Sequence, residues 1–247
     1  MSAADEPRLY GDLAPWFHLL TSPADYAEEA QLYRRLLVEH ADGPVDTVLE
    51  LGSGGGNNAS HLKRHFQLTL VDRSPGMLEL SRGLNPDLEH VEGDMRTVRL
   101  DRVFDAVFVH DALAYILIEP DLQAVFETAF AHCRPGGSAV FVPDYVQETF
   151  VPRTDHGGHD SADGQRGLRY VEWIRADSSD ETRHVVDFAY LIREGESVLV
   201  EQDRHICGLF PRDTWLRHLE ATGFEVDVVE PKYEDEPAGQ IIFACRR

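Results

Sequence analysis

A glycine-rich segment directly after a β-rich apolar run constrains the fold of this chain more than any other feature. The run at residues 46–51 is followed by Gly52-Ser-Gly-Gly-Gly56, and residues 57–66 then have helical character. Glycines are needed where the backbone turns tightly or approaches a ligand closely. The pattern predicts a strand, a ligand-binding turn and a helix, which together open a parallel α/β sheet.

Strand-like segments alternate with amphipathic helical segments after this turn. Further strands are predicted at residues 67–71, 88–91, 104–109 and 138–142. Ser74-Pro75 and Glu119-Pro120 each begin a helix, because proline is favoured at the first helical position. This alternation is typical of a parallel sheet that is covered by helices on both faces.

The end of the chain closes the same sheet in a different way. A helix that starts near Pro211 and ends at Gly223 is followed by predicted strands at residues 225–229 and 240–244. No helix separates these two strands, so we expect an antiparallel pair. The prediction is an α/β fold with a seven-stranded sheet whose last strand is antiparallel.

Between these parts lies a segment without helical alternation. Residues 167–176, 182–193 and 197–207 have the pattern of three long strands joined by polar turns. We predict an inserted three-stranded antiparallel lobe at residues 146–208, with the core formed by residues 1–145 and 209–247. Residues 152–167, rich in Gly, Asp and His, are predicted to be a mobile loop.

The charge balance excludes several classes of protein. There are 23 Lys and Arg against 44 Asp and Glu, a formal net charge of −21, which disfavours nucleic-acid binding. No apolar run is long enough to cross a membrane, and no basic and apolar leader opens the sequence. The three cysteines lack CxxC spacing, so we expect neither disulfides nor a zinc site and place the protein in the cytoplasm. The oligomeric state stays open, with a homodimer among the alternatives.

Four motifs in chain order carry a resemblance to a known family. They are Glu50-Leu-Gly-Ser-Gly-Gly-Gly56, Asp72 at the end of the next strand, Gly93-Asp94-Met95, and Phe104-Asp105 with His110 at the end of its strand. This set resembles the class I S-adenosylmethionine (SAM)-dependent methyltransferases, with a Rossmann-like sheet. The runner-up is a nicotinamide-dependent oxidoreductase, which the GxGxG spacing disfavours because those proteins have GxGxxG.

The resemblance implies a cofactor site for SAM. Gly52 and Gly54 would hold the methionine part, Asp72 the ribose, and Asp94 with Met95 the adenine. Glu50 would position the glycine turn, and His110 would lie beside the methionine part. The remaining residues expected in the cofactor site are Tyr10, Trp16, Tyr26, Ser53, Arg73 and Met77, of which the first three are aromatic residues of the N-terminal segment.

A narrower resemblance rests on four phrases. They are Ala24-Asp-Tyr-Ala-Glu-Glu-Ala30, Gly93-Asp-Met-Arg96, Glu148-Thr-Phe150 and Asp203-Arg-His-Ile-Cys-Gly-Leu-Phe210. These phrases look like the N,N-dimethyltransferases that modify amino-sugar nucleotides in antibiotic pathways. That resemblance implies methyl transfer to an amine, or to a hydroxyl, of a small-molecule acceptor. A methyltransferase-like module that binds SAM or a metabolite without catalysis is the remaining alternative.

Methyl transfer needs a positioned nucleophile more than it needs acid and base groups. His205 is the first candidate for a base, since histidine titrates near neutral pH, and it lies on a predicted lobe strand. Tyr145 is the second catalytic candidate, at the carboxyl end of the fifth strand beside Asp144. Asp111 and Tyr115 follow the fourth strand at the same rim. We interpret His156-Gly-Gly-His-Asp160 as a solvated loop or substrate lid and expect no metal site.

Overall fold

In the computed structural model, residues 7–231 and 240–247 are described. Within these ranges the strands form two sheets, one of seven strands in the order β10-β11-β5-β4-β1-β2-β3 and one of four in the order β6-β7-β8-β9. The strands are β1 (Thr47–Leu51), β2 (Gln67–Asp72), β3 (Glu89–Glu92), β4 (Phe104–His110), β5 (Cys133–Val142), β6 (Arg153–Gly157), β7 (Arg166–Ala176), β8 (Arg183–Glu194), β9 (Ser197–Gly208), β10 (Glu225–Val229) and β11 (Ile242–Arg246).

The helices cover the large sheet on both faces. They are α1 (Phe17–Leu20), α2 (Ala27–Glu39), α3 (Asn57–Leu62), α4 (Pro75–Leu84), α5 (Glu119–His132) and α6 (Arg212–Thr222). Short 3-10 helices lie at Arg8–Tyr10, Ala14–Trp16, Pro23–Tyr26 and Ala112–Tyr115. No helix in the described part of the chain is long and apolar enough to cross a membrane.

Alternation of side chains along the central strands divides the core into two layers. Leu49, Val107 and Phe141 face α5 and α6, whereas Val48 and Phe108 face α2 and α3. Strand side chains point alternately to the two faces, so near-continuous apolar strands are buried on both. The β1, β2, β3, β4 and β5 pairings are parallel, and β11 is antiparallel to both β5 and β10. The predicted α/β sheet with its antiparallel last strand is confirmed.

The lobe differs from the prediction by one strand. Residues Arg153–Gly157, which we predicted to be part of a mobile loop, form β6 and pair with β7 in antiparallel register. The prediction was wrong because β6 is an edge strand with mostly exposed side chains, so its sequence lacks the apolar alternation by which a strand is recognised. The lobe is therefore a four-stranded sheet.

One face of the lobe sheet packs against the core. Leu168, Tyr190 and Ile192 contact Leu13 and the partly buried Trp16 of the N-terminal segment. Ile174, Val186 and Cys207 pack with Ala114 of the Ala112–Tyr115 turn that follows β4. This face of the lobe, called the inner face below, therefore lies over the carboxyl ends of the central strands.

Candidate functional site

The candidate site is a cavity of about 970 Å³. Its walls are the carboxyl ends of the central parallel strands, the N-terminal segment before α2, and the inner face of the lobe. Ligands of open α/β sheets bind at this edge of the sheet. The predicted site residues that line it are Tyr10, Tyr26, Glu50, Gly52, Ser53, Gly54, Asp72, Arg73, Asp94, Met95, His110, Tyr145 and His205.

The turn after β1 contains glycines that no other residue could replace without strain, and Gly52 and Gly54 are two of them. Gly52 has φ of 72° and Gly54 has φ of 52°, values that residues with a side chain rarely adopt. A Cβ atom on Gly52 would lie 2.2 Å from the Cβ of Ala112, which follows β4. The turn is therefore packed directly against the residues that follow β4, and its backbone forms part of the cavity wall.

Asp72 joins the end of β2 to this turn. Its Oδ2 accepts a hydrogen bond from the Gly54 backbone N–H at 2.8 Å, and its Oδ1 accepts one from the Ser74 N–H at 2.8 Å. Burial raises the pKa of Asp72 even though these bonds favour the carboxylate. The carboxylate thus orders the glycine turn and faces the cavity, where it can accept further hydrogen bonds.

Several buried polar atoms around the turn have no hydrogen-bond partner in the described ranges. Glu50 is 4% exposed, and its Oε2 is one of these atoms; burial, with Asp72 nearby, raises the pKa of Glu50 to about 8. Ser53 Oγ and the side-chain oxygens of Asn57 and Asn58 are the others on this wall. Unsatisfied buried acceptors fit a ligand with a cationic, N–H-bearing end, as the aminoacyl part of SAM has. The two asparagines were missed by sequence reasoning, although their position directly after the glycines was a usable signal.

Asp94 is held in place after β3 by an arginine. Arg96 donates to both oxygens of Asp94, with Nη2 to Oδ2 at 2.6 Å, and its Nη1 reaches Asp121 Oδ2 at 2.5 Å. The Arg96 guanidinium holds the pKa of Asp94 below its usual value. Met95 lies near the turn, with its Sδ 3.7 Å from the point where a Gly52 Cβ would be. Both residues line the cavity, and their contact with the cofactor stays a prediction.

His110 lies at the end of β4 among charged neighbours. Its Nδ1 is 3.2 Å from Asp111 Oδ2, and its Nε2 is 3.6 Å from Glu29 Oε1. Burial lowers the pKa of His110, and the nearby carboxylates oppose that effect. The ring therefore forms part of a polar cluster between the glycine turn and the tips of β4 and β5.

His205 belongs to a hydrogen-bonded chain across the cavity wall. Its Nδ1 is 2.9 Å from the Tyr115 hydroxyl, which is 2.8 Å from the Tyr10 hydroxyl, and its Nε2 is 3.0 Å from Asp203 Oδ2. Asp203 also accepts the backbone N–H groups of Arg8 and Leu9. Because Asp203 is an acceptor, Nε2 donates to it, and in the neutral ring Nδ1 then accepts from the Tyr115 hydroxyl. Both ring nitrogens are already bonded, so His205 can act on an acceptor only through Tyr115.

Tyr26 and Tyr145 line opposite sides of the cavity. The Tyr26 hydroxyl accepts from Thr21 Oγ1 at 3.2 Å, and its ring meets that of His110 edge-on. The Tyr145 ring packs edge-on against His184, and Arg153 lies over it at 5.4 Å from the ring centroid. Tyr26 therefore lies at the end of the cavity near the glycine turn and His110, and Tyr145 lies at the end near the lobe.

Trp16 and Met77 do not line the cavity. Trp16 packs on the inner face of the lobe, with the Arg166 guanidinium 3.9 Å from its ring centroid. Met77 is fully buried in α4 below the glycine turn, with its Cε 3.7 Å from the position of a Gly54 Cβ. The structure thus places both beside the walls of the site, and their contact with the cofactor stays a prediction.

Several lobe residues on the cavity wall were missed by sequence reasoning, among them Arg153, Glu172 and His184. Glu172 lies on β7 between Tyr170 and Ile174, and burial, with Asp155 nearby, raises its pKa to about 7. Burial lowers the pKa of His184 to about 4. A charged residue among the inward positions of a half-buried strand was the available signal for Glu172.

The histidine-containing loop beside the lobe, residues 156–160, forms ion pairs with its neighbours. His159 Nε2 lies 2.9 Å from Asp25 Oδ2, and Asp160 pairs with Arg169 and Arg193. Among the described residues, no group of three or more His, Cys, Asp or Glu side chains could hold a metal ion. These contacts join the loop to the N-terminal segment and to the lobe sheet.

Comparison with known proteins gives matches over part and over nearly all of the chain. Residues 48–137 match a family model described as a methyltransferase domain. The dTDP-3-amino-3,4,6-trideoxy-alpha-D-glucopyranose N,N-dimethyltransferase of Streptomyces venezuelae is 28% identical over 221 residues, which is 89% of this chain and 90% of that protein.

Solved structures match the whole fold. The crystal structure of DesVI from Streptomyces venezuelae has a TM-score of 0.82 at 24% identity, covering 96% of this chain and 97% of that one. SAM-bound CalS10, an amino pentose methyltransferase from Micromonospora echinaspora, has a TM-score of 0.71 at 21% identity, covering 97% and 96%. At these identities the structural matches establish the shared fold.

Proposed function

Since this chain is a SAM-dependent methyltransferase, we propose that it transfers the methyl group to an amine of a small molecule. The proposed acceptor class is an amino sugar carried on a nucleotide, the class named for its relative in Streptomyces venezuelae. When bound, SAM supplies a methyl group on a cationic sulfur, which a neutral nitrogen can attack. The task of the chain is then to hold the nitrogen in line with that methyl group.

The observation that carries this proposal is the charge of the cavity beyond the glycine turn. Asp111 and Asp144 follow β4 and β5, and Glu172 faces them from the lobe. Carboxylates in a partly enclosed cavity attract an ammonium group more strongly than they would in water. A hydroxyl acceptor carries no positive charge for these carboxylates to attract, so an amine acceptor is favoured over a hydroxyl acceptor.

Arg153 supports the nucleotide part of the proposal. Its guanidinium lines the same end of the cavity over the Tyr145 ring, where its charge opposes the rise in the pKa of Asp144 and Glu172. Guanidinium groups bind phosphate oxygens in a forked geometry. We propose that the lobe, residues 146–208, covers the acceptor and that Arg153 contacts its phosphates.

The test compares two acceptors that differ in one atom. The purified enzyme is incubated with SAM and dTDP-3-amino-3,4,6-trideoxy-α-D-glucose, or with its 3-hydroxy counterpart, and free amino sugars and simple primary amines are run beside them. S-adenosylhomocysteine release and product mass are measured. We expect methylated product from an amine and none from the hydroxy compound. Methylation of the hydroxy compound alone, or no product from any amine, would contradict the proposal.

The oxidoreductase and the non-catalytic module are separated by two simple measurements. Calorimetric titration with SAM and with NAD tests the first, and NAD binding without SAM binding would support it. Tight SAM binding with no turnover on the whole amine and hydroxyl panel would support the second. The unsatisfied acceptors around Glu50 favour a cationic ligand over the anionic pyrophosphate of NAD.

A further inference from the structure

Two carboxyl groups meet at the centre of the cavity. Asp111 directly follows β4 and Asp144 follows β5, so both lie at the carboxyl ends of adjacent parallel strands. Their side chains are close enough to share a hydrogen bond, which requires one of them to be protonated. Both residues line the cavity, and the Asp111 side chain is 52% exposed to it. The pair is thus reachable by a ligand from the cavity.

The backbone holds Asp111 in an uncommon conformation. Its φ is 52° and its ψ is −43°. The Asp111 N–H donates to the Val142 carbonyl of β5, and its own carbonyl accepts from the Ala114 N–H. These bonds hold the residue in a conformation that is strained for a residue with a side chain. The fold therefore fixes the backbone from which the Asp111 side chain projects at the cavity wall.

The charged groups around the pair come from several elements. Glu29 of α2 and His110 of β4 face Asp111. Asp144 is faced by His110, by Arg153 of β6 and by Glu172 of β7. The walls of the cavity reduce the hydration of both side chains, and this, with Glu29 nearby, raises the pKa of Asp111 to about 7. The same enclosure, with Asp111 nearby, raises the pKa of Asp144 well above its usual value. Asp144 therefore holds its proton at neutral pH, and Asp111 is the carboxyl group that ionises near pH 7.

An independent observation on the lobe side indicates that a polar ligand binds here. His184 is 1% exposed, lines the cavity, and has an Nδ1 atom with no partner among the described residues. Its ring packs edge-on against Tyr145, the residue next to Asp144. A buried ring nitrogen is costly to leave without a hydrogen bond. A ligand seated between the strand tips and the lobe would be close to both His184 and the carboxyl pair.

We propose that Asp111 and Asp144 bind the amine of the acceptor as an ammonium group and take up the proton that it must lose before methyl transfer. This inference rests on the proposed function. The ammonium proton passes to the ionised carboxylate, which leaves a neutral amine with a free electron pair. The amine nitrogen then bonds to the methyl carbon while the carbon–sulfur bond breaks and its electron pair stays on sulfur. The products are a methylated ammonium and neutral S-adenosylhomocysteine.

The carboxyl pair fits this role better than His205 does. Both nitrogens of His205 are bonded to Asp203 and Tyr115, whereas the Asp111 side chain is open to the cavity. A base with a pKa near neutral pH takes a proton from an ammonium group more readily than an ordinary carboxylate. His205 then acts as a positioning residue for Tyr115 and Tyr10.

The first experiment measures kcat/KM of Asp111→Asn and Asp144→Asn with dTDP-3-amino-3,4,6-trideoxy-α-D-glucose, or with the best amine of the panel. Asparagine keeps the shape and tolerates the φ of Asp111. We expect a loss of at least about 100-fold for Asp111→Asn, which removes the carboxyl group that is open to the cavity and ionises near pH 7. The loss for Asp144→Asn should be about tenfold, because that variant keeps Asp111 and loses only its neighbour. The matched control is Asp213→Asn in the first turn of α6, an exposed charge away from the cavity, which should stay within twofold.

The pH profile separates proton uptake from a structural role. For the wild-type enzyme kcat/KM should rise as Asp111 ionises, near pH 7, and fall above the pKa of the amine, because the ammonium is the form that binds. The Asp111→Asn variant needs the neutral amine, so its kcat/KM should rise through the pKa of the amine. With a 3-hydroxylamino acceptor, which is neutral at pH 7, the kcat/KM of this variant should be less than tenfold below that of the wild-type enzyme.

The possible failures are distinguishable. If the wild-type enzyme methylates no amine, the proposed function fails. If it does, but both variants keep a bell-shaped profile and wild-type kcat/KM, the carboxyl pair has no part in the reaction. If SAM affinity falls as far as kcat/KM in Asp111→Asn, the pair serves the methyl donor and our proposal is wrong. Thermal melting of each variant identifies loss of folding, and the two substitutions provide independent tests.

Discussion

The two ends of the cavity are built in different ways. We call the end at the glycine turn, where we propose that SAM binds, the cofactor end, and the end beneath the lobe, where we propose that the methyl acceptor binds, the acceptor end. At the cofactor end, the glycine turn, Asp72 and Asp94 come from consecutive strand tips, and backbone bonds such as Gly54 N–H to Asp72 join neighbouring elements. At the acceptor end, Tyr10, Tyr115 and His205 form one chain of hydrogen bonds from three distant parts of the sequence. The first end depends on local backbone geometry, and the second depends on how the N-terminal segment and the lobe dock.

This difference predicts that substitutions at the two ends will be separable. Changes in the glycine turn should weaken SAM binding, and changes in the lobe should alter turnover while SAM binding persists. Two contacts link the ends directly: Gly52 packs against Ala112 at the start of the turn that carries Tyr115, and Ser74 Oγ donates to the Tyr10 carbonyl. The first is the tighter, because it leaves no room for a Cβ atom on Gly52. The largest expected effect therefore comes from this contact.

Gly52→Ala should affect both ends of the cavity. The new Cβ would lie 2.2 Å from Ala112 Cβ, and a φ of 72° is strained for alanine. We expect SAM affinity to fall at least 100-fold and the melting temperature to fall by about 2–4 °C for each kcal/mol lost. Calorimetry and thermal melting measure these quantities.

The matched control for Gly52→Ala is Gly83→Ala in α4. A Cβ atom on Gly83 would meet nothing within 4 Å, and alanine is favoured over glycine in a helix by about 0.5–1 kcal/mol. This variant should be slightly more stable than the wild type and bind SAM normally. Normal SAM binding by Gly52→Ala would show that the turn does not hold the cofactor.

Asp72→Asn should affect the cofactor end alone. The variant loses charge-assisted hydrogen bonds, which are worth about 1.5–3 kcal/mol each, or roughly a 10–150-fold loss of SAM affinity. Its KM for the acceptor at saturating SAM should not change. Asp87→Asn is the control, because Asp87 is an exposed carboxylate paired with Lys63 outside the cavity. Equal SAM affinity in the two variants would remove Asp72 from the site.

His205→Gln should affect the acceptor end alone. Glutamine cannot keep both the bond to Asp203 and the bond to Tyr115 in place, so the tyrosine pair should shift. We expect kcat to fall by about tenfold, less than the 10²-fold typical of a 1 Å misplacement of reacting groups, with SAM affinity within twofold. His156→Gln on the exposed strand β6 is the control. If kcat/KM of His205→Gln keeps a bell-shaped dependence on pH, His205 has a positioning role. If the rise of kcat/KM on the acidic side disappears in this variant, His205 itself takes up the proton.

The same contrast explains what could be predicted from sequence. The seven-stranded sheet and the cofactor end follow from apolar periodicity and from glycines that the backbone requires, so both signals lie within short stretches of chain. The partners of His205, the meeting of Asp111 with Asp144, and the lining residues Glu172 and His184 depend on long-range docking that no local pattern encodes. Edge strand β6 was missed for a related reason, since its stability comes from bonds to β7 and not from its own apolar residues.

The smallest predicted effect concerns one acidic residue at each end of the cavity, the buried Glu50 and the half-buried Glu172. Burial raises the pKa of Glu50 to about 8 and that of Glu172 to about 7, both from an ordinary value of 4.5. A carboxyl group whose pKa is raised by folding binds its proton more tightly in the native state, so it costs stability as pH rises from 4.5 through the native pKa. Without ligand, Glu50→Gln and Glu172→Gln should therefore each gain melting temperature relative to wild type between pH 5 and 8.

SAM should distinguish these two acids. Its cationic end would favour ionised Glu50, so saturating SAM should reduce the advantage of Glu50→Gln at pH 8 and leave that of Glu172→Gln in place. Melting curves at pH 5 and 8, with and without SAM, measure the difference in melting temperature between each variant and the wild type under each condition. If SAM reduced both advantages equally, the cofactor charge would reach the lobe as strongly as the glycine turn, and the separation of the two ends would be wrong.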